Sequence, residues 1–244
     1  MSGLSLTVLG CDGTYAGPGG ACSGYLVEHA STSVWVDCGP GTLANLQQHV
    51  ALDELSGIVV SHAHPDHWVE LAVTINALHY CLGRKDIPLF TTVETLRRFE
   101  ALGGVPVANV FAVHPISDGS QFELDGISFR TAVTDHPVET LSMRIEAGGR
   151  SLAYSADTGP GWQLSTLGEV DLALVEATMR ADQDGLAPHL TTTQAGQRAR
   201  DAGAGRLVIT HLPPGADADA HRNEAAVAYG ADVEVATTHL RIDL

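Results

Sequence analysis

The segment Ser61-His62-Ala63-His64-Pro65-Asp66-His67 constrains this chain more than any other. Three histidines and one carboxylate follow directly on the apolar run Ile58-Val59-Val60. Imidazole nitrogens and carboxylate oxygens are the usual ligands of zinc-like divalent ions. A lone His-x-His would pass as an ordinary surface feature. Four such groups in register at the end of a buried-looking strand point to a metal, because loops at strand ends are where sites assemble. The remaining ligands must then come from elsewhere in the chain.

With 244 residues the chain is long enough to bury a sizeable core, and residues 1–244 are expected to form one layered domain. A hydrophobic content of 44% with 26 glycines fits a loop-rich globular enzyme better than a disordered or fibrous chain. No apolar run approaches the roughly 20 residues of a membrane helix. The N-terminus, Met1-Ser2-Gly3-Leu4, has no basic stretch ahead of an apolar one, so a cytoplasmic location is expected. The net charge is −16, with Lys85 the single lysine. Such a surface repels polyanions, which counts against a large RNA substrate. Bound divalent ions would offset part of the charge locally. Cys11, Cys22, Cys38 and Cys81 form no Cys-x-x-Cys pair and are expected to be small thiols rather than ligands or a disulfide framework.

In chain order, Leu4 to Leu9 is expected as a strand. The loop from Gly10 to Gly24 follows, with six glycines but no Gly-Lys-Ser/Thr ending of a phosphate loop. Strands are expected at Ser23 to Glu28, Ser33 to Asp37 and Ile58 to Ser61, with a helix over Thr42 to Val50. From Trp68, the apolar positions Leu71, Ala72, Ile75, Leu78 and Leu82 follow helical spacing, and Gly83 is a plausible cap. Pro88 to Thr91 and Val107 to Val113 are expected as strands around a helix at Val93 to Leu102. His79 is read as structural or exposed, and His114 as a loop histidine. Asp125-Gly126 and Gly148-Gly149 mark hairpins joining Phe122–Leu124 to Ile127–Val133 and Leu141–Glu146 to Ser151–Ser155. A short helix from Pro160, a strand at Asp171 to Glu176 and a loop over Thr178 to Pro188 follow. Thr191-x-x-Gln194 is a capping box that opens a helix reaching Ala202. A strand at Arg206 to Thr210, a helix at Asp217 to Tyr229 and two short strands near Val233 and Leu240 complete the chain. The order of elements suggests two β-sheets back to back with helices outside.

Asp37, the His62–His67 cluster, His136, Asp157, Glu176 and His211 all stand where an apolar strand ends. Alone, each later residue is an ordinary strand-end side chain. Together they supply about six nitrogen and oxygen ligands, with a carboxylate able to bridge two ions.

At this point the chain resembles the metallo-β-lactamase superfamily, on the layered pattern, the His62-x-His64-x-Asp66-His67 motif, and His136, Asp157 and His211 in that order. The resemblance spans nearly the whole chain. It implies an αββα four-layer sandwich of two mixed β-sheets packed face to face. It implies two divalent metal ions that together activate water, expected as zinc with manganese or iron as alternatives. His62, His64 and His136 would hold one ion; Asp66, His67 and His211 the second; Asp157 would bridge. Asp37 would steady the histidine loop from behind.

Glu176-Ala177-Thr178, His189-Leu190-Thr191 and Leu207 to His211 resemble the phosphodiesterase branch that includes ribonuclease Z. There a histidine matching His189 acts near the leaving group and is oriented by an acid matching Glu176. True β-lactamases usually carry cysteine where Asp157 stands, and flavo-diiron members carry glutamate where His64 stands. Ribonuclease Z enzymes typically insert a long substrate arm between the residues matching His136 and Asp157. Here the interval holds a tight hairpin alone, which is closer to arm-less relatives such as atypical bacterial cyclic-nucleotide phosphodiesterases. Those relatives share a segment of the Ala153 to Gly159 type.

The expectation is therefore a metal-dependent hydrolase of phosphodiester bonds in a small or cyclic nucleotide, with Asp66, His189 and Glu176 as its catalytic residues. A large RNA is expected less than a small phosphodiester, and no membrane is expected as a partner. Relatives of this kind are often homodimers, and the sequence shows no interface, which leaves the oligomeric state open. The alternatives are a tRNA 3′ endonuclease, a lactonase or arylsulfatase, and a non-catalytic metal-binding protein.

Overall fold

A computed structural model of the chain describes residues 3–244. The first sheet contains β1 (Ser5–Gly10), β2 (Gly24–His29), β3 (Thr32–Val36), β4 (Gly57–Val60), β5 (Ile87–Thr91) and β6 (Phe111–Pro115). The second contains β7 (Gln121–Leu124), β8 (Ile127–Val133), β9 (Leu141–Ala147), β10 (Arg150–Tyr154), β11 (Leu172–Glu176), β12 (Arg206–Thr210) and β13 (Val233–Val235). The last strand, β14 (Arg241–Asp243), returns to the first sheet beside β1, so each sheet has seven strands. In both sheets an antiparallel run passes into a parallel one. β3, β4, β5 and β6 are parallel in the first sheet, and β10, β11, β12 and β13 in the second.

Alternation along the strands builds the layers. Val34 and Val36 of β3 face Leu152 and Tyr154 of β10 in a core between the sheets. Trp35, between those valines, points the other way. It packs with Leu46 of α1 (Thr42–Leu46), Leu71 of α3 (Leu71–Asn76) and Phe99 of α4 (Val93–Ala101). Trp68 closes the four-residue α2 (Pro65–Trp68) and joins the same layer. On the opposite side, Val175 and Ile209 pack with Ala195 and Ala199 of α5 (Thr192–Asp201) and Ala225 of α6 (Ala218–Tyr229). The result is the αββα sandwich. Fully burying one large apolar side chain such as these contributes about 1.5–3 kcal/mol. No helix among the described residues is long and apolar enough to cross a membrane.

Several elements depart from expectation. The helix after Thr42 ends at Leu46, and the exposed Gln47 to His49 form a turn. The segment from Trp68 is not one helix but α2, α3 and a π-helical turn over Ala77–Leu82. The wider turn keeps Leu78 buried while Leu82, expected on the apolar face, is exposed. Gly83 does cap the turn, with a left-handed φ of 62°. Val107–Asn109 is a 3-10 turn behind Pro106, and the strand starts only at Phe111. His114 is therefore a strand residue, stacked on Phe90 with ring centroids 4.7 Å apart, and not a loop histidine. No helix starts at Pro160. Gly159 and Gly161 are tied to Asp135 by backbone N–H donation, and a 3-10 turn forms only at Leu164–Leu167.

Candidate metal centre

The site lies where the carboxyl ends of strands from both sheets meet, the usual ligand-binding edge of parallel strands. β4 runs out at Val60 and delivers Ser61 to His67. Pro65 at the first position of α2 turns the chain back, so Asp66 and His67 point into the same space as His62 and His64. Trp68 Nε1 donates to Ala63 O at 3.0 Å and closes this loop. The β3 end lies against it. Cys38 N donates to His67 O at 2.6 Å, and a Cβ on Gly39 would stand 2.0 Å from Asp66 O. Only glycine fits there. From the second sheet, β8 leads to His136, β10 to Asp157, β11 ends at Glu176 and β12 leads to His211. Asp37, Ala156 and His211 all adopt positive φ, at 57°, 51° and 61°. Such backbone costs free energy and clusters at functional sites.

All seven side chains expected as ligands converge. They form two groups, His62–His64–His136–Asp157 and Asp66–His67–Asp157–His211, with ligand atoms inside each group within 4.8 Å of one another. Asp157 belongs to both. Its Oδ2 lies 3.6 Å from His62 Nε2 and 3.9 Å from His136 Nε2. Its Oδ1 lies 3.2 Å from His67 Nε2 and 3.4 Å from His211 Nε2. One oxygen therefore faces each group, the geometry a bridging carboxylate needs. Asp66 Oδ2 lies 3.7 Å from His67 Nε2 and 3.4 Å from His211 Nε2. Ligand atoms around one tetrahedral zinc-like ion stand roughly 3.4 Å apart, which these spacings match.

The fit to a cation also rests on atoms left without partners. His62 Nε2, His67 Nε2 and Asp157 Oδ1 are buried and have no aligned hydrogen-bond partner. Buried polar atoms are normally satisfied, so an inward cluster of orphans calls for an ion.

The opposite ring edges are satisfied. His67 Nδ1 meets Asp37 Oδ2 at 2.8 Å, His62 Nδ1 meets Ser61 Oγ at 2.9 Å, and His211 Nδ1 meets Thr178 Oγ1 at 2.8 Å. His136 Nδ1 points to Pro188 O at 3.3 Å. These contacts orient each ring with Nε2 inward. His64 is the exception, since its Nδ1 lies 3.1 Å from His136 Nε2, so Nδ1 is the atom it presents. Asp37 is fully buried and also accepts from Ser61 N, Ser61 Oγ and Tyr154 Oη.

Burial pushes the pKa of His62, His64 and His136 down, so these rings are neutral and able to ligate. For His67 burial acts in the same direction, but the charges of Asp157 and Asp37 outweigh it and raise the value. Burial would raise Asp157, yet His211 and His67 hold it well below the usual carboxylate range. Asp66 is lowered too, against its burial, by its bond to His211 and the nearby His67.

His189 sits at the edge of the groups, its ring stacked on His211 with centroids 5.3 Å apart. Its Nδ1 meets Glu176 Oε1 at 2.8 Å. Glu176 is buried and also accepts from Thr158 N, Thr178 N, Thr178 Oγ1 and, at 3.3 Å, Leu190 N. Burial would lower His189, but the bond and charge of Glu176 raise it. A cleft of about 320 Å³ opens onto Thr14, His64, Pro65, Asp66, Asp157, His189 and His211. A larger groove over the outer face of the second sheet lies among Arg130 and Arg144, whose guanidinium groups already serve carbonyls of Thr166, Leu167 and Glu169.

The sequence motifs contain Ser61, Thr178 and Tyr154 but assign them no role, and Thr14, whose backbone N–H donates to Asp66 Oδ2 at 3.0 Å, lies outside them. Ser61 and Thr178 stand at strand ends beside named residues, which was a usable signal. Tyr154 reaches Asp37 from another sheet, and Thr14 sits in a glycine-rich loop, so neither had one.

The model of the β-lactamase superfamily domain matches residues 32–212. A probable metallo-hydrolase of Bacillus subtilis, YhfI, is 31% identical over 241 residues, covering 96% of this chain and 97% of that one. The crystal structure of YhfI, described as a metallo-β-lactamase fold protein, superposes with a TM-score of 0.91 at 28% identity, over 100% of both chains. A ribonuclease Z of a Mycobacterium species (strain KMS) is 29% identical over 280 aligned positions, covering 99% of this chain and 96% of that one.

Proposed function

The chain belongs to the β-lactamase superfamily, as a metallo-hydrolase relative, and on that premise we propose that it hydrolyses phosphodiester bonds of small or cyclic nucleotides. The observation that carries this reading is the Glu176–His189 pair at the rim of the two ligand groups. A hydrolase of esters with stable leaving groups has little use for a held acid. A phosphodiester with an alkoxide leaving group needs one.

In this reading His62, His64, His136 and Asp157 hold one divalent ion, and Asp66, His67, Asp157 and His211 hold a second. Zinc suits the nitrogen-rich donor set, with manganese or iron as alternatives. When bound, the ions supply electrophilic pull on phosphoryl oxygens and lower the pKa of a water towards about 7. The chain's own residues do the rest. Asp66, ionised and steadied by Thr14 N–H, orients the attacking water towards phosphorus. His189, whose protonated form Glu176 favours, gives the proton on Nε2 to the leaving oxygen as the P–O bond breaks, a contribution of roughly 10²–10⁴-fold. A linear diester gives a phosphomonoester and an alcohol, and a cyclic nucleotide gives one phosphomonoester that carries the freed hydroxyl; the attacking water releases its proton to solvent, from which His189 regains the one it gave.

Three features favour a small substrate. The cleft of about 320 Å³ is at the low end of small-molecule sites. The interval between His136 and Asp157 is filled by the β9–β10 hairpin with its Gly148-Gly149 turn, leaving no arm to grip RNA. The net charge of −16 opposes a polyanion. The second reading, a tRNA 3′ endonuclease, is favoured by the ribonuclease Z likeness.

One panel separates them: bis(p-nitrophenyl) phosphate, 2′,3′- and 3′,5′-cyclic nucleotides, precursor tRNA and a lactone. Turnover of the cyclic nucleotides, with kcat/KM well above that for tRNA, is expected. Preferred cleavage of tRNA, or turnover of the lactone alone, would refute the proposal.

A further inference from the structure

Two buried tyrosines join the sheets directly behind the ligand groups. Tyr154 stands at the end of β10, three residues before Asp157. Its hydroxyl crosses the sandwich and donates to Asp37 Oδ2 at 2.7 Å, and that same oxygen holds His67 Nδ1. Tyr25 stands on β2 of the first sheet. Its hydroxyl meets Thr210 Oγ1 at 2.8 Å, on the last residue of β12 and next to His211. The two rings touch edge to face with centroids 5.0 Å apart. Both side chains are buried in the central core. Burial pushes both phenols up in pKa, so each keeps its proton.

We infer that Tyr25 and Tyr154 are positioning residues that set the first-sheet ligands Asp66 and His67 at the right distance from the second-sheet ligands Asp157 and His211. The inference rests on the reading of those four as the ligands of one ion. Sheets packed by apolar side chains alone can shift by fractions of an ångström at little cost, because dispersion contacts are non-directional. A hydrogen bond is directional and loses strength steeply when misaligned. Each hydroxyl places one such bond between the sheets, one beside His67 and one beside His211. The other group meets the pair only at one remove, since Ser61 donates to the Asp37 carboxylate that Tyr154 also serves. His62 is held by Ser61, and His136 by Pro188. The pair therefore acts most directly on the Asp66–His67–Asp157–His211 group and reaches the other only through Asp157 and through Ser61, which donates to Asp37.

The test uses Tyr25→Phe, Tyr154→Phe and the double variant, which keep the rings and remove only the hydroxyls. Tyr229→Phe is the control, since its hydroxyl donates to Ala204 O in the outer layer. Metal-free protein is titrated with zinc against a competing chelator, and manganese-loaded protein is examined by electron paramagnetic resonance. Loss of a group supporting a ligand typically weakens metal binding roughly 10–100-fold. Each single variant is expected to weaken one of two ions about 10-fold and the other by clearly less. The exchange-coupled manganese signal should change even at full occupancy. The metal-free melting temperature should fall no further than in Tyr229→Phe. Unchanged affinities with an unchanged spectrum would overturn the inference. So would equal weakening of both ions with a matching fall in metal-free stability, which would make the tyrosines supports of the fold only. A wild type that binds a single ion would refute the two-ion reading itself, and the positioning role with it.

Discussion

Replacing Glu176 by glutamine tests the pairing at the rim in a way the structure makes quantitative. The carboxylate accepts from Thr158 N, His189 Nδ1 and Leu190 N on Oε1, and from Thr178 N and Oγ1 on Oε2. A glutamine must turn its NH₂ towards one of these sets. The smaller loss places it at Oε2, where the Thr178 hydroxyl can rotate to accept but Thr178 N–H cannot. One buried backbone donor is then left unpaired, at about 1–3 kcal/mol. The remaining bonds lose their charged acceptor, and a charge-assisted bond is roughly twice as strong as a neutral one. A stability loss of about 2–4 kcal/mol follows.

His189 supplies the second readout. Its pKa is raised in the folded protein because Glu176 stabilises the charged ring. A raised folded-state pKa contributes stability that is fully present below the unfolded value, and it is lost as pH rises through the folded value. The stability gap between wild type and Glu176→Gln must therefore shrink as pH rises from 6 to 9, in urea unfolding of the metal-free proteins. In catalysis the acid form is needed, so the alkaline limb of kcat/KM should move to lower pH in the variant. The rate should fall by roughly 10- to 100-fold on a cyclic nucleotide, below the full 10²–10⁴-fold worth of a general acid because His189 itself stays in place, and barely at all on bis(p-nitrophenyl) phosphate. Equal losses on both substrates, or an unmoved alkaline limb, would refute the acid role.

Asp37→Asn should weaken metal binding roughly 10–100-fold, because His67 Nδ1 loses its charged partner; unchanged binding in a chelator competition would contradict this. Gly39→Ala should destabilise the loop by more than 2 kcal/mol, on the order of an overpacked core site, since its Cβ would stand 2.0 Å from Asp66 O; a melting temperature within a degree of wild type would count against that packing. Chelation should lower the melting temperature, because it leaves His62 Nε2, His67 Nε2 and Asp157 Oδ1 buried without partners; an unaltered melt would argue that no ion sits there.

The sandwich was legible because strand alternation and parallel crossovers leave periodic marks, and the His62–His67 motif named its own chemistry. What stayed hidden was set by tertiary contact. The π-helical turn at Ala77–Leu82 satisfies helical spacing on paper while rotating Leu82 outwards. Pro106 favours a turn at Val107–Asn109 that β-branched content argues against. His114 was mislocated for the same reason, since its strand begins later than valine content suggests. Around the site, residues that end apolar strands could be named one by one. Their supports, Tyr154 for Asp37 and Thr178 for His211, depend on packing across or along the second sheet. No local pattern encodes a phenol that crosses the sandwich to a carboxylate 117 positions away.

The most direct test of the central claim is a metal add-back titration of chelated protein, read as hydrolysis of a 2′,3′-cyclic nucleotide against equivalents of zinc. No turnover is expected without metal, and the rise should saturate near two equivalents. Turnover by the chelated protein, or none at saturating metal while precursor tRNA is cleaved, would contradict that claim.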